Sequence, residues 1–451
     1  AWGTLLASGR EKAGAETAPP TEKAPALRVT LLGTAADETG GLAPAFCRST
    51  EEAPDIDGHI TAGEWEQSAI LGDFEYHREP GVRARNQTAI RLLHDNENVY
   101  LAITCYESDM TNLNVEKRER DDTGVFSDDS VEIFIDTNND QFSYYQLCYN
   151  ASASHFDQRC QGGYNYGENI FGVDYEKQKV RDPDWNGNWT IRTSRHDDRW
   201  EAEIVLPFAT FGRESDLWGF NVGRNRRIPE PETSSWKSIG FFNQPDKFGK
   251  ILLAGARTGE TELAAFTIDP LLAGRGSAVL DLTTAQAWRG RAAVATAEGG
   301  TPQTTTATPA DGKRIRFDYT LTAASEQLTL ELAGTRGDVL YRIPIPVTVP
   351  KALTLTSSSQ VLLPGDTAAA CTAEIRITPR ERREHRVVFS LRRGSRELAR
   401  EGASPGTGKS FLQADMSGQP HGFYTLAVAL QGPGERVFAS DDMPLVKVPG
   451  Y

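Results

Sequence analysis

The chain has no run of the ~20 apolar residues that a helical membrane span needs, so no such span is expected. Methionine and histidine are scarce, at 3 and 7 residues. The five cysteines, Cys47, Cys105, Cys148, Cys160 and Cys371, contain no CxxC pair, which argues against a zinc site. Positive charge is in deficit: 48 Lys and Arg against 62 Asp and Glu give a net charge of −14. An acidic surface disfavours non-specific contact with nucleic acid or anionic membrane, so neither is expected as a partner. It suits neutral partners, glycans among them, or it serves solubility alone. The chain starts at Ala1 with no signal-peptide pattern, and Ala1 is read as a mature or an artificially cut N-terminus.

Catalytic motifs are missing too. No HExxH, Walker-type loop or dinucleotide fingerprint occurs. Gly402-Ala403-Ser404-Pro405-Gly406 spells GxSxG, but that motif needs its Ser on a strand-to-helix turn, and no helical segment follows here. Glu132, Glu201 and Glu203 are available carboxylates, yet nothing in their placement sets two of them across a sugar cleft. The Arg-rich run from Arg380 to Arg396 alternates with Glu and reads as a solvated strand face. The chain is expected not to be an enzyme.

What is present is strand pattern. Short alternating apolar segments, broken by Asn, Asp, Gly and Pro, recur along the chain, and helical periods are few. We therefore expect an all-β, multidomain protein. Residues 1–50 read as an N-terminal arm or leader, in which Leu27-Arg28-Val29-Thr30-Leu31-Leu32 has strand character. Residues 51–256 hold six of the eight tryptophans and form one large sandwich. Residues 257–350 form a smaller β-sandwich in which the Thr- and Pro-rich segment 301–309 reads as a loop. Residues 351–451 form a third, immunoglobulin-like sandwich, entered late by His421-Gly422-Phe423-Tyr424.

Two local features carry chemistry. Cys148 and Cys160 flank a hairpin turn at 150–155, and either a disulfide or two half-buried thiols would satisfy that placement. Asp136-Thr137-Asn138-Asn139-Asp140 offers side-chain oxygens at alternate positions, as a hard cation such as calcium requires. A polar turn without metal reads equally well from the same residues.

Segments in a fixed order over about 200 residues resemble the family-9 carbohydrate-binding modules. They are Ile56-Asp57-Gly58 through Trp65, then 87–95 with Val99-Tyr100-Leu101, and then Asp128-Asp129-Ser130-Val131-Glu132-Ile133-Phe134-Ile135-Asp136. Tyr144-Tyr145-Gln146, the strand 200–207, Trp218-Gly219-Phe220-Asn221 and Pro245-Asp246-Lys247-Phe248-Gly249 complete the order. The resemblance implies a jelly-roll-like sandwich, structural calcium, secretion or a cell-surface location, and a slot for a sugar chain. That slot would use aromatic faces against the apolar side of a pyranose and hydrogen-bonding groups around its hydroxyls. It implies Glu132 as a hydroxyl acceptor, Phe126 and Phe242 as stacking positions, and Asp136, Asn138 and Asp140, with Asp57 at a second site, as calcium ligands. Cys148 falls where the family places an Arg. Two functions follow. One is a non-catalytic module holding a glycan or polysaccharide. The other is a structural subunit of a filament or lattice that reuses the scaffold and self-associates through edge strands or the arm.

Overall fold

The structure is a computed structural model that describes residues 27–32, 42–162, 180–227, 230–237, 239–257, 261–284, 288–298, 301–307, 312–405 and 408–449. Its described elements are almost all strands, gathered into three sandwiches within two compact units. Leu27–Leu32 forms β1, which belongs to the last sandwich.

The first sandwich starts with β2 (Ala45–Ser49), β3 (Ala69–Leu71), β4 (Glu75–Tyr76), β5 (Thr88–His94), β6 (Asn98–Tyr106), β7 (Ser130–Asp136) and β8 (Ser143–Asn150). It continues with β9 (His155–Gln161), β10 (Val180–Asp182), β11 (Thr190–Arg195), β12 (Arg199–Pro207), β13 (Leu217–Arg226), β14 (Glu232–Ser235) and β15 (Gly249–Leu253). One layer runs β10-β9-β8-β7-β13-β15 and the other β5-β6-β12-β11. β2 joins the two: residues 45–47 pair in parallel with β15, and Arg48 and Ser49 pair in parallel with β5. Residues 45–49 are thus part of this sandwich rather than of the arm in which the sequence placed them.

Period-two alternation builds the core. β7 contributes Val131, Ile133 and Ile135, β13 contributes Trp218, Phe220 and Val222, and β12 contributes Trp200, Ala202 and Ile204. Glu203, on the opposite face of β12, explains the opening segment. Its carboxylate accepts the N–H groups of Asp57 (3.1 Å) and Gly58 (2.9 Å) and the indole Nε1–H of Trp65 (3.0 Å). Gly58 has φ +97° and lies against the backbone of Thr193, where a Cβ would sit 3.0 Å from a carbonyl carbon.

The second sandwich has β16 (Glu262–Ile268), β17 (Gly274–Thr283), β18 (Arg291–Glu298), β19 (Thr301–Ala307), β20 (Arg314–Leu321), β21 (Ser325–Ala333) and β22 (Val339–Pro346). Its sheets are β16-β17-β20 and β19-β18-β21-β22. Threonine is β-branched and a good strand former, so 301–307 is a strand where the sequence suggested a loop. This sandwich shares a core with the first: Leu217, Leu252 and Ala254 pack with Leu263, Phe266 and Leu340. Beside that core the buried Asp216 accepts from Arg213 Nε (2.9 Å), Arg257 Nη2 (3.3 Å) and the N–H of Arg342 (2.8 Å).

The last sandwich has β23 (Leu353–Ser357), β24 (Val361–Leu362), β25 (Ala368–Ile375), β26 (Arg386–Arg393), β27 (Arg396–Ala403), β28 (Lys409–Asp415), β29 (Gly422–Gln431) and β30 (Val437–Lys447). Its sheets are β1-β28-β25-β23 and β24-β30-β29-β26-β27. Tyr424 Oη donates to the carbonyl of Pro420 at 2.5 Å, a tyrosine corner of the kind seen in immunoglobulin-like sandwiches. The basic run is divided. Arg380, Arg382 and Arg383 lie on a short helix, Pro379–Glu384, and Arg386, Arg392 and Arg393 on β26. Proline at the start and Arg and Glu after it favour that helix over a strand.

Candidate functional site

β7 places Glu132 and Phe134 on the face of its sheet away from the core. Register sets Glu132 between Cys148 of β8 and Gly223 of β13, and sets Gln146 of β8 opposite Gln158 of β9. Residues diagonal across the strands are close enough for long side chains to meet. Gln146 Nε2 donates to Glu132 Oε2 at 2.7 Å, and Asn225 Nδ2 donates to Glu132 Oε1 at 2.8 Å. Gln158 Nε2 donates to Gln146 Oε1 at 2.7 Å. Asn243 Nδ2 reaches the same oxygen at 3.2 Å and Tyr144 Oη at 3.1 Å. The donors point one way along this row, ending on Glu132. The amide oxygens of Gln158, Asn225 and Asn243 accept nothing among the described residues. Glu132 is 8% exposed, and burial pushes its carboxyl above the usual range against the pull of its two amide donors.

Aromatic rings flank the row. On the Cys148 side, the half-buried Phe126 meets Phe156 edge-on at 5.1 Å and packs against Val125 and Cys148. The Phe126 carbonyl accepts from Arg227 Nη2. On the Gly223 side, Phe242 packs with Phe134, Tyr144 and Phe248 and takes the edge of His77 at 4.2 Å. A Cβ on Gly223 would sit 2.3 Å from Phe242 Cζ, so the ring lies directly on the sheet. Phe242 is 8% exposed and offers no open face, whereas its neighbour Phe241 is half-buried with Arg78 Cζ 5.0 Å from its ring centre. Phe126, Glu132 and Phe242 are brought to one face of one sheet.

Of the two readings left open at the hairpin, the candidate disulfide is corrected: Cys148 and Cys160 are free thiols, fully rather than half buried. Cys148 stands opposite Phe156, and Cys160 opposite Tyr144. Four residues of offset along β8 amount to about 13 Å, far beyond the reach of a disulfide. Burial pushes the Cys148 thiol far above its ordinary range, so it stays protonated beside Glu132.

The candidate calcium ligands lie in two places. At the end of β7, Asp136 accepts the N–H groups of Asp140 (3.2 Å) and Gln141 (2.9 Å), and desolvation raises its carboxyl to about 6. Asn138 accepts from Asp140 N at 3.1 Å, and Asp140 accepts from Phe142 N and Ser143 N at 2.8 and 2.7 Å. One carboxylate oxygen has more than one lone pair, so these bonds leave acceptor capacity on the turn. Lys250 Nζ occupies the same corner, donating to Asn139 Oδ1 at 2.6 Å. Asp57 is exposed, accepts from His59 N at 2.7 Å, and belongs to the Glu203 cluster instead. Among the described residues, no three His, Cys, Asp or Glu side chains gather as a metal cluster.

The other carboxylates are structural. Glu201 accepts from Arg199 Nε at 2.8 Å and Ile60 N at 3.3 Å, and Glu203 holds the opening segment as described. Asp128 is held by the Arg118 guanidinium at 2.9 and 3.0 Å and by Asn150 at 2.8 Å. Asp129 accepts the N–H groups of Asn114 and Arg227, each at 2.6 Å. The conspicuous Asp128-Asp129 pair therefore braces the strand that carries Glu132. The amide partners of Glu132 were not singled out from sequence. Counting back from the turn after Asn150 pairs position 146 with 158, which is the signal that was there to find.

Comparison with protein families matches residues 56–256 to the carbohydrate family 9 binding domain-like model. Comparison with curated proteins finds no match. Among solved structures, the chain is similar to a family-9 carbohydrate-binding module from Caldicellulosiruptor kristjanssonii in complex with glucose. That pair has 16% identity and a TM-score of 0.31, covering 46% of this chain and 95% of the other. A second structure, the family-9 module from the same organism in complex with cellotriose, has 15% identity and a TM-score of 0.33, covering 47% and 93%. The match spans every segment that carried the resemblance, so residues 56–256 are similar to the carbohydrate family 9 binding domain-like family.

Proposed function

We propose that the outer face of β13, β7, β8 and β9 binds a neutral glycan, and that the chain is the non-catalytic binding part of a secreted or cell-surface protein. The observation that carries this reading is the amide–carboxylate row ending on Glu132. A pre-set row of acceptors beside an accessible ring suits a pyranose, whose hydroxyls need partners at fixed positions and whose C–H face stacks on an aromatic. Phe126 is the stacking ring, Glu132 the hydroxyl acceptor, and Phe242 the apolar wall at the other end. Structural calcium at Asp136, Asn138 and Asp140, with Asp57 as a separate position, is part of the same proposal. There the Lys250 ammonium competes for the corner.

Calorimetry of the whole chain, with calcium, against glucose, cellotriose and short xylo-oligosaccharides tests it. Phe126→Ala is expected to weaken binding about tenfold, as loss of a stacking contact of ~1–1.5 kcal/mol would. Glu132→Ala is expected to remove measurable binding. Absence of heat with every sugar, or a Phe126→Ala protein that binds like the parent, would refute the reading. The structural-subunit alternative draws on the pairing of β1 with β28.

A further inference from the structure

β28 has two neighbours in its sheet, β25 on one side and β1 on the other. β1 runs antiparallel to it through six residue pairs, from Leu27 opposite Ala414 to Leu32 opposite Lys409. On β28, Ser410, Leu412 and Ala414 are fully buried, so this is a core strand and not a solvent edge. β1 lies at the sheet's edge, and its described pairing is with β28 alone, while it also lies against β27. In sequence it precedes the first sandwich, and Leu32 and Lys409, which stand opposite each other, are 409 − 32 = 377 positions apart.

Two physical points follow. Taking β1 away leaves a bare row of N–H and C=O groups along β28, the feature that makes an exposed edge a template for another strand. An edge strand can also be exchanged without threading the chain through a loop, so its replacement meets no topological barrier. The occupant that restores all six pairs is another β1, and a second copy of this chain carries one. Nine residues, 33–41, separate β1 from the first described residue of the first sandwich, so a donated strand stays tethered to its own copy within at most about 35 Å of chain.

We infer that the β28 edge is a strand-acceptor site whose partner is β1 of a second copy of this chain. The contacts made within one chain and between two are the same, so local concentration decides which forms. Each copy gives one strand and receives one through different surfaces. The association is therefore head-to-tail, and it grows as a filament or closes as a ring. This inference is independent of the sugar-binding proposal.

The test uses single-cysteine additions to the full chain. Arg28 and Gln413 stand directly opposite, and directly paired antiparallel residues lie within disulfide reach. Gln413 is exposed, so its substitution leaves the core intact, and the five native thiols are buried. Arg28→Cys protein and Gln413→Cys protein are unfolded together, refolded at high concentration and mildly oxidised. The expected result is a reducible band of twice the chain's mass. The chain carrying both substitutions should then give a ladder of multiples beside a linked monomer. The inference is overturned if the mixed single variants stay unlinked, whether the double variant links within one chain or not at all. It is equally overturned if Arg28→Cys links as well to Leu363→Cys, an exposed position of the same unit that has no pairing with β1 or β28.

Discussion

Adding one methyl group at Gly223 tests whether Phe242 is part of the packed sheet face. A Cβ there would stand 2.3, 2.5 and 2.6 Å from Phe242 Cζ, Cε2 and Cε1. Ordinary contact begins near 3.4 Å, so the ring must retreat by about 1 Å against His77 and Phe134, which already touch it. Overpacking of this kind costs ~1–3 kcal/mol. Phe242→Ala is expected to cost ~3 kcal/mol, the lower end for a buried Phe, because its cluster is small. In the Phe242→Ala background, Gly223→Ala has nothing to strike and should be neutral or stabilising by ~0.5–1 kcal/mol, since Gly weakens a strand interior. The coupling between the two sites is therefore expected at ~2–3 kcal/mol.

Urea unfolding followed by tryptophan fluorescence reads this domain selectively, because Trp65, Trp185, Trp189, Trp200, Trp218 and Trp236 all lie in it. The reasoning fails if Gly223→Ala matches the parent, or if it costs the same with and without the ring. Either result would mean that Phe242 swings clear of the sheet and is free to face a ligand. Sugar affinity measured on the same four proteins separates wall from platform. A wall residue changes affinity together with stability, and a platform changes affinity alone.

Two further outcomes follow. His94 is buried, donates Nδ1–H to the carbonyl of Asp95 (2.9 Å) and accepts Gly255 N–H at Nε2 (3.0 Å), and burial holds its pKa down to about 4 from 6.5. The unfolded chain therefore takes up the proton first as pH falls, and this residue's contribution, on the order of a few kcal/mol, is lost as pH falls from 6.5 towards about 4. Urea midpoints of the parent and His94→Asn should converge over that window, and parallel curves would count against the assignment. Asp216→Ala leaves Arg213 and Arg257 facing each other uncompensated beside the shared core and is expected to cost ~3–5 kcal/mol. Calorimetric scanning should then resolve the first and second sandwiches as separate transitions, and a single unshifted transition would refute the bridging role.

Strand positions were legible because alternation is local. The core residues of β7, β12 and β13 follow from a period of two. Strand partners were legible only across short turns. β1 has clear strand character, yet nothing within Leu27–Leu32 names a partner that comes hundreds of residues later. A Cys148–Cys160 disulfide was left open by proximity to a turn, when register, also countable from that turn, places Cys148 against Phe156. Phe242 was visible as an aromatic near the right place, but its burial depends on a missing side chain at Gly223 on another strand. The Asp128–Asp136 segment stood out because it braces a strand at both ends, and bracing residues leave a stronger mark in sequence than a row of amides.

The pairing of Cys148 with Glu132 gives the glycan proposal a direction. The family resemblance implies Arg at 148, where a guanidinium directly across the register would grip the Glu132 carboxylate and supply donors to a ligand. A protonated, buried thiol does neither. Glu132 is left with two amide N–H groups, and the more distant Arg181 and Arg227 charges only soften the burial that raises its pKa. Its remaining lone pairs, with the amide oxygens of Gln158, Asn225 and Asn243, make the row rich in acceptors. Such a face gains from ligands that present hydroxyl donors. Under the glycan proposal it would be less favourable to uronic acids, whose carboxylates would meet the Glu132 carboxylate and approach a chain of net charge −14. Under the glycan proposal, Cys148 at this position would favour neutral, hydroxyl-donating sugars held through acceptors.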